Sequence, residues 1–356
     1  MEQVTFELNL VSIIDILSIA TALMLGFLLI TLKSKNKYAN IFLGAFLWSL
    51  GIEVLESFLE SLTFETMHIQ IIQTTLATIP LLLLYVYSTL NVKFKKLYLL
   101  LFIPFVISNL IGFPEEEIKW FEYVFNLILL YIILKNIKEH QNKVTDYYSD
   151  IENKTLLWIR TIVYIFLFFH VFWILEDIIG FQNEIITQYF AFSSGILTFF
   201  MIYWIAYNGF SQQEIFTTSL FQTDEKKETQ IDVIDTENQF KLMLEIMERD
   251  KLYLDGNLNL RLLSEKVNIK ERELSKLIKT HTKKNFYHFI NQFRVQEFKK
   301  LVASPKAAQL SLLGLAQEAG FSSKSTFYTA FKNVEGVTPK QYQKSLKSLS
   351  NRNSDL

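Results

Sequence analysis

Residues 312–339 read LLGLAQEAGFSSKSTFYTAFKNVEGVTP, and the spacing of their apolar side chains predicts two short helices joined by a tight turn. Leu312, Leu315, Ala316 and Ala319 share one face of the first helix, Gly320 makes the turn, and Phe321, Phe327 and Phe331 pack behind the second. Ser322 or Ser323 is expected to cap the second helix, since a hydroxyl there accepts from the free N–H groups of the first turn. Lys324, Ser325, Tyr328, Thr329 and Lys332 are then left facing outward, and Gly336 and Pro339 close the unit.

The layout also occurs earlier, in residues 257–295, NLNLRLLSEKVNIKERELSKLIKTHTKKNFYHFINQFRV. Leu260, Leu262, Leu263 and Val267 supply the buried face of one helix, Asn268 and Ile269 the turn, and Leu274, Leu277 and Ile278 the buried face of the next. Asparagine suits the turn because it tolerates left-handed backbone better than most residues. The outward side carries Lys270, Glu271, Arg272, Ser275, Lys276 and Lys279. Two short helices about a tight turn form a helix-turn-helix, whose second helix enters the major groove. One such pair can equally be part of an ordinary bundle. Two with basic faces point to duplex DNA. The apolar stretch 286–302 between them would make roughly 25 Å of helix at 1.5 Å per residue. That length can hold both second helices on one side of a duplex, near its ~34 Å repeat.

At these residues the chain resembles the AraC family of bacterial transcription regulators. AGFSSKSTFYTAFKN at 319–333 and GVTPKQY at 336–342 follow that family's signature almost position for position. The first repeat is looser: Ser264 stands where the family usually has alanine, Lys270 where it often has serine, and Phe298 where its connecting helix often has alanine. Arg294 occupies the position of the family's arginine. The resemblance covers residues 255–343 and implies a DNA-binding transcription regulator, not an enzyme, with promoter DNA as partner and no cofactor. It carries over as DNA-binding positions Lys270, Glu271, Arg272, Ser275, Lys276, Lys279, Arg294, Ser322, Ser323, Lys324, Ser325, Tyr328, Thr329 and Lys332. RNA polymerase and a second copy of the chain, in a homodimer, are compatible partners.

Elsewhere the composition is of another kind. Half of the 356 residues are hydrophobic, and the apolar ones crowd into residues 10–210. The mean hydropathy of +0.22 exceeds that of an ordinary soluble protein. The net charge of −1 averages an acidic stretch at 223–250 with a basic one at 251–347. Without cysteine there is no disulfide framework, thiolate metal site or cysteine nucleophile. No metal site is expected, because the five histidines are scattered, and no glycine-rich phosphate loop or Gly-x-Ser-x-Gly elbow appears.

A bilayer-crossing helix needs about 20 apolar residues. Such runs occur at 10–32, 39–59, 69–90, 97–113, 118–137, 156–179 and 185–207, the fourth being short and holding Pro104. Lys33, Lys35 and Lys37 follow the first run, Lys93, Lys95 and Lys96 the third, and Lys135, Lys138, Lys143 and Lys154 the fifth. The alternate loops hold Glu60 and Glu65, then Glu115, Glu116, Glu117 and Lys119, then Glu176, Asp177 and Glu184. Lysine collects on the cytoplasmic side. The expectation is a multi-pass protein of the cytoplasmic membrane, N-terminus outside, with everything after Tyr207 in the cytoplasm, where DNA is.

Asp15, Glu53, Glu56, His170, Glu176 and Asp177 lie within these runs, where ionisable groups are costly enough to be candidate sensing residues. They either line an outward-open polar pocket for a small-molecule or lipid signal, or are hydrated near the interface and fix packing. The expected architecture is all-α, with a membrane domain at 1–210, a juxtamembrane linker and amphipathic helix at 211–250, a DNA-binding domain at 251–347 and a polar tail at 348–356. Phe240, Leu242, Met243, Ile246 and Met247 mark the apolar side of that amphipathic helix. The rival readings are a transporter or membrane enzyme with an accessory DNA-binding tail, and a bundle that only anchors the domain among membrane lipid.

Overall fold

The computed structural model describes residues 10–34, 36–62, 72–90, 92, 95–112, 115–151, 156–179, 184–211 and 233–354. Among these the protein is all-α, with short 3₁₀ turns and one isolated antiparallel bridge between Tyr148 and Asn259. Outside them lie Lys35, Glu65, Lys93, Lys154 and residues 212–232 of the expected linker, and the side chains of Glu60, Glu115, Glu116, Glu117, Glu176 and Glu184 are likewise not described.

The helices of the apolar part are α1 (Leu10–Thr31), α2 (Lys37–Leu62), α3 (Thr75–Thr89), α4 (Ile103–Ile111), α5 (Glu115–Tyr147), α6 (Leu157–Ile179) and α7 (Glu184–Ser211). Each of the seven apolar runs overlaps one of them. The fourth run is split: a 3₁₀ stretch Lys96–Phe102 precedes α4, and Pro104 falls in its first turn, where a missing N–H costs nothing. Among the described residues four stretches, Leu10–Thr31, Lys37–Glu56, Ile118–Tyr147 and Leu157–Leu175, are long and apolar enough to cross a bilayer, whereas Thr75–Thr89 and Lys96–Ile111 are shorter. Helix α5 outruns its apolar segment, continuing through the lysine-bearing stretch to Tyr147.

The chain divides into two compact units, Met1–Lys138 with Leu156–Phe221, and Glu139–Thr155 with Gln222–Leu356. The stretch 139–155, read from sequence as a loop of the apolar part, groups with the C-terminal unit. In the first unit α1 and α2 approach through glycine. A Cβ on Gly26 would lie 2.8 Å from the Gly44 carbonyl oxygen, and one on Gly44 would lie 2.6 Å from that of Gly26. Small residues let helix backbones close in this way. Trp48 Nε1 donates to the Leu23 carbonyl across the same seam at 3.0 Å. Behind it Phe46, Leu82, Leu130, Ile162 and Ile202 share one core, while Phe27, Leu110, Tyr131, Phe168 and Phe200 point outward.

The second unit contains α8 (Val233–Arg249), α9 (Leu260–Val267), α10 (Glu271–Thr282), α11 (Phe286–Val302), α12 (Leu312–Glu318), α13 (Lys324–Glu335) and α14 (Pro339–Ser354). Helix α8 is amphipathic: Met243 and Met247 are buried, with Phe240, Leu244 and Ile246 packed beside them. Leu242 is 53% exposed, contrary to the sequence reading. Two residues past Phe240 it sits about 200° around the helix, facing away from the core. Leu262 on α9 is exposed for the same reason, lying two residues after Leu260. Helix α14 runs into the expected polar tail, ending at Ser354.

Candidate nucleic-acid interface

Local chemistry sets each helix end around the interface. Asn259 caps α9 by accepting from the Leu262 N–H at 3.0 Å, and Asn268 ends it in left-handed backbone at φ 54°. Ser323 is the cap of α13, accepting from the Thr326 N–H at 3.2 Å, while Ser322 stands just outside the helix. Asn285 and Ser311 cap α11 and α12 in the same manner. Such caps are worth about 1 kcal/mol each and fix where a short helix begins.

Helix α11 joins the two helix-turn-helix units by belonging to both cores. Its first half, Phe286, Phe289 and Ile290, packs with Leu263, Leu274, Leu277 and Ile278 of the first unit. Its second half, Val295, Phe298 and Val302, packs with Leu315, Phe321, Phe327 and Phe331 of the second. Phe298, where the resemblance led one to expect a smaller residue, lies 4.7 Å from Phe327 and 5.4 Å from Phe331, centroid to centroid. A second clamp is at Gly320, whose φ is +92°. A Cβ there would fall 2.4 Å from the Tyr253 carbonyl oxygen, so the turn between α12 and α13 lies flush against the segment preceding α9.

The outward faces follow from this packing. On α10, Arg272, Lys276 and Lys279 follow a three-and-four spacing and are exposed, with Lys270 exposed just before the helix and Glu271 and Ser275 half-buried. On α13, Ser325, Thr329 and Lys332 repeat the spacing and are exposed, as are Ser322 and Lys324, while Ser323 and Tyr328 are half-buried. Lys324 Nζ lies 5.9 Å from the Tyr328 ring centroid.

Arg294 is a correction. Read from sequence as a DNA contact, it is fully buried, and its guanidinium is spent inside the fold. Nε donates to the Tyr253 carbonyl at 2.8 Å and Nη2 to the Asp255 carbonyl at 2.8 Å. Nη2 also reaches Ser149 Oγ at 3.0 Å, and Nη1 the Asn291 side-chain oxygen at 3.2 Å. Burial pushes its pKa down to about 10, opposed by the carboxylates of Asp150 and Asp255, so it stays charged at neutral pH. Arg294 braces the joint between the units. Lys299 on the same helix is also engaged, 2.9 Å from Glu335 and 5.6 Å from the centre of the Tyr342 ring.

Three residues that sequence reasoning did not single out stand at this face. Asp146 pairs with Lys279 at 2.6 Å. Ser149 accepts from Asn291 Nδ2 at 2.8 Å through its carbonyl. Asp150 accepts from Ser322 Oγ, from Ser323 Oγ at 3.1 Å and from Thr326 Oγ1 at 2.8 Å. The only sequence hint was the acid interleaved with lysine in residues 138–154.

The candidate sensing residues fall into separate settings. Glu53 accepts a hydrogen bond from Thr78 Oγ1, and Glu122 one from Thr75 Oγ1 at 3.1 Å, linking α2 and α5 to α3. Asp177 pairs with Lys119 at 2.7 Å and accepts from Tyr123 at 3.0 Å, tying α6 to α5. His170 Nδ1 bonds its own helix at the Phe166 carbonyl, 2.8 Å away, and Asp15 on α1 lies beside Gly195 of α7. Glu56 is half-buried on α2 one turn from Glu53.

Two helix-turn-helix units on one shared helix define the class of the C-terminal unit, a DNA-binding domain. Comparison with protein families narrows it: residues 263–345 match the helix-turn-helix domain family of AraC type. The chain therefore contains a domain of the kind found in DNA-binding transcription regulators. No curated protein and no solved structure matches the chain.

Proposed function

We propose that this protein is a membrane-embedded, one-component transcription regulator that reads promoter DNA through α10 and α13 and responds to a signal met in or across the membrane. The observation that carries the reading is the pair of outward basic and hydroxyl-bearing faces held on one rigid helix. A helix of α11's length keeps two recognition helices near one turn of duplex apart. Arg272 and Lys324 lie in the first turns of their helices, where side chains reach base edges, so both are assigned to base reading. Lys270, Lys276 and Lys332 are assigned to phosphate.

Seven membrane passages with the N-terminus outside are supported by four helices long and apolar enough to cross a bilayer, by the further apolar helices α3, α4 and α7, and by the lysine asymmetry of alternate loops. Anchoring needs one span, so a polar network among α2, α3 and α5 favours sensing over anchoring. Glu53, Glu56 and Asp177 are the proposed responsive groups, and their joint replacement by amides is expected to change promoter output without changing protein level.

The test has two arms. Reporter fusions after Lys37, Lys96 and Lys143 should report cytoplasm, and fusions near Glu65 and Glu116 the outside. The full chain in nanodiscs should bind duplex DNA with an affinity that falls steeply as salt rises, through counterion release. An external C-terminus, or salt-insensitive binding, would overturn the reading.

A further inference from the structure

We propose that residues 146–150 form a latch that docks across both helix-turn-helix units and competes with DNA for them. The inference rests on the DNA-binding reading above. The segment leaves the end of α5 at Tyr147, bridges Asn259 through Tyr148, and seats Ser149 against Leu258, Asn291 and Arg294. Its two carboxylates then reach the two recognition helices. Asp146 takes Lys279 on α10, and Asp150 takes the hydroxyls of Ser322, Ser323 and Thr326 at the start of α13.

A carboxylate bonded by hydroxyls at a helix N-terminus satisfies the same donors that a DNA phosphate would use. Lys279 and the Ser322–Ser323 pair cannot serve the segment and the DNA backbone at once. The latch thus imitates the charge and acceptor geometry of DNA. Its Asp146–Lys279 pair is exposed, where an ion pair is weak enough to exchange, while the partners of Asp150 run from exposed Ser322 through half-buried Ser323 to buried Thr326. In sequence the latch lies at the end of α5, which runs Glu115–Tyr147.

The test uses the full chain in nanodiscs and a labelled pool of random 30-base-pair duplexes at low salt. Asp150→Ala is expected to tighten binding about tenfold, which is what release of a domain latched about nine-tenths of the time predicts. Glu245→Gln, on the exposed side of α8, removes the same charge away from the latch and should leave affinity within about twofold, since charge alone acts non-specifically. A lock supplies a charge-neutral comparison. The chain has no cysteine, so Tyr148→Cys with Asn259→Cys introduces one oxidisable pair. The oxidised form, left with almost no latch-free fraction, should bind more than tenfold more weakly than the same protein reduced. The proposal is overturned if Asp150→Ala matches Glu245→Gln, if the cysteine pair fails to close, or if closing it leaves binding unchanged. Absence of duplex binding by every form, reduced and latch-free included, would instead overturn the DNA-binding reading and this inference with it.

Discussion

Replacing Arg294 with leucine separates a structural brace from a DNA contact. A fragment spanning residues 233–354 lacks Ser149 but retains the Tyr253 and Asp255 carbonyls, which the guanidinium meets at 2.8 Å in the full chain, and Asn291, at 3.2 Å. Hydrogen bonds from a charged donor are each worth about 1.5–3 kcal/mol, and each buried acceptor left unpaired costs about 1–3 kcal/mol. Against that loss, leucine removes the several kcal/mol needed to bury a guanidinium. Since only one side of the interaction is replaced, the carbonyls stay unsatisfied and the loss wins, leaving a net destabilisation of about 2–4 kcal/mol. The fragment contains no tryptophan, so urea unfolding is followed by far-UV circular dichroism. With a slope of about 2 kcal/mol per molar, the midpoint should fall by about 1–2 M at unchanged slope. A midpoint shift under about 0.25 M together with lost DNA binding would refute the brace and return Arg294 to the DNA surface.

Gly320→Ala forces a Cβ to within 2.4 Å of the Tyr253 carbonyl oxygen at φ +92° and should cost about 2–4 kcal/mol by urea unfolding. Gly336→Ala, at φ +75° with open space around it, should cost only about 1 kcal/mol, and equal losses would contradict the clamp at Gly320. Arg272→Ala should weaken DNA binding by about 1–3 kcal/mol and relax preference at one base pair, measured over single-base operator variants. Equal weakening of every variant would make it a backbone contact. Lys299→Ala, which removes the Glu335 pair, should leave the salt slope unaltered and cost up to about 1 kcal/mol of stability, whereas a slope reduced by about one would reveal a phosphate contact. Partial desolvation at the α11 surface, and then Lys284, holds the His288 pKa below its ordinary 6.5, weakly because the residue is exposed. Between those two pKa values the unfolded chain binds more protons, so the fragment should lose stability as pH falls below about 6.5. His288→Gln should lose less over the same pH range, and an identical pH profile would remove the histidine from the account.

Local pattern determined much of this protein. The helices of the two helix-turn-helix units, the turns at Asn268 and Gly320 and the capping serine of α13 follow from interactions within a few residues, and such interactions leave a period or a cap in the sequence, whereas the continuation of α5 to Tyr147 and of α14 to Ser354 was not read from it. The basic faces of α10 and α13 were legible for the same reason, because burying Leu274, Leu277 and Ile278 or Phe327 and Phe331 dictates what remains outside. Chain direction into the fold was not legible. Arg294 is polar and follows Phe293 on an amphipathic helix, and nothing local distinguishes a brace from a contact; only the arrival of the Tyr253 and Asp255 carbonyls decides it. Lys299 pairs with Glu335, a residue 36 positions away. Asp150 meets Ser322 across 172 positions, and a contact closed over that distance depends on where whole helices pack, which no short-range periodicity records.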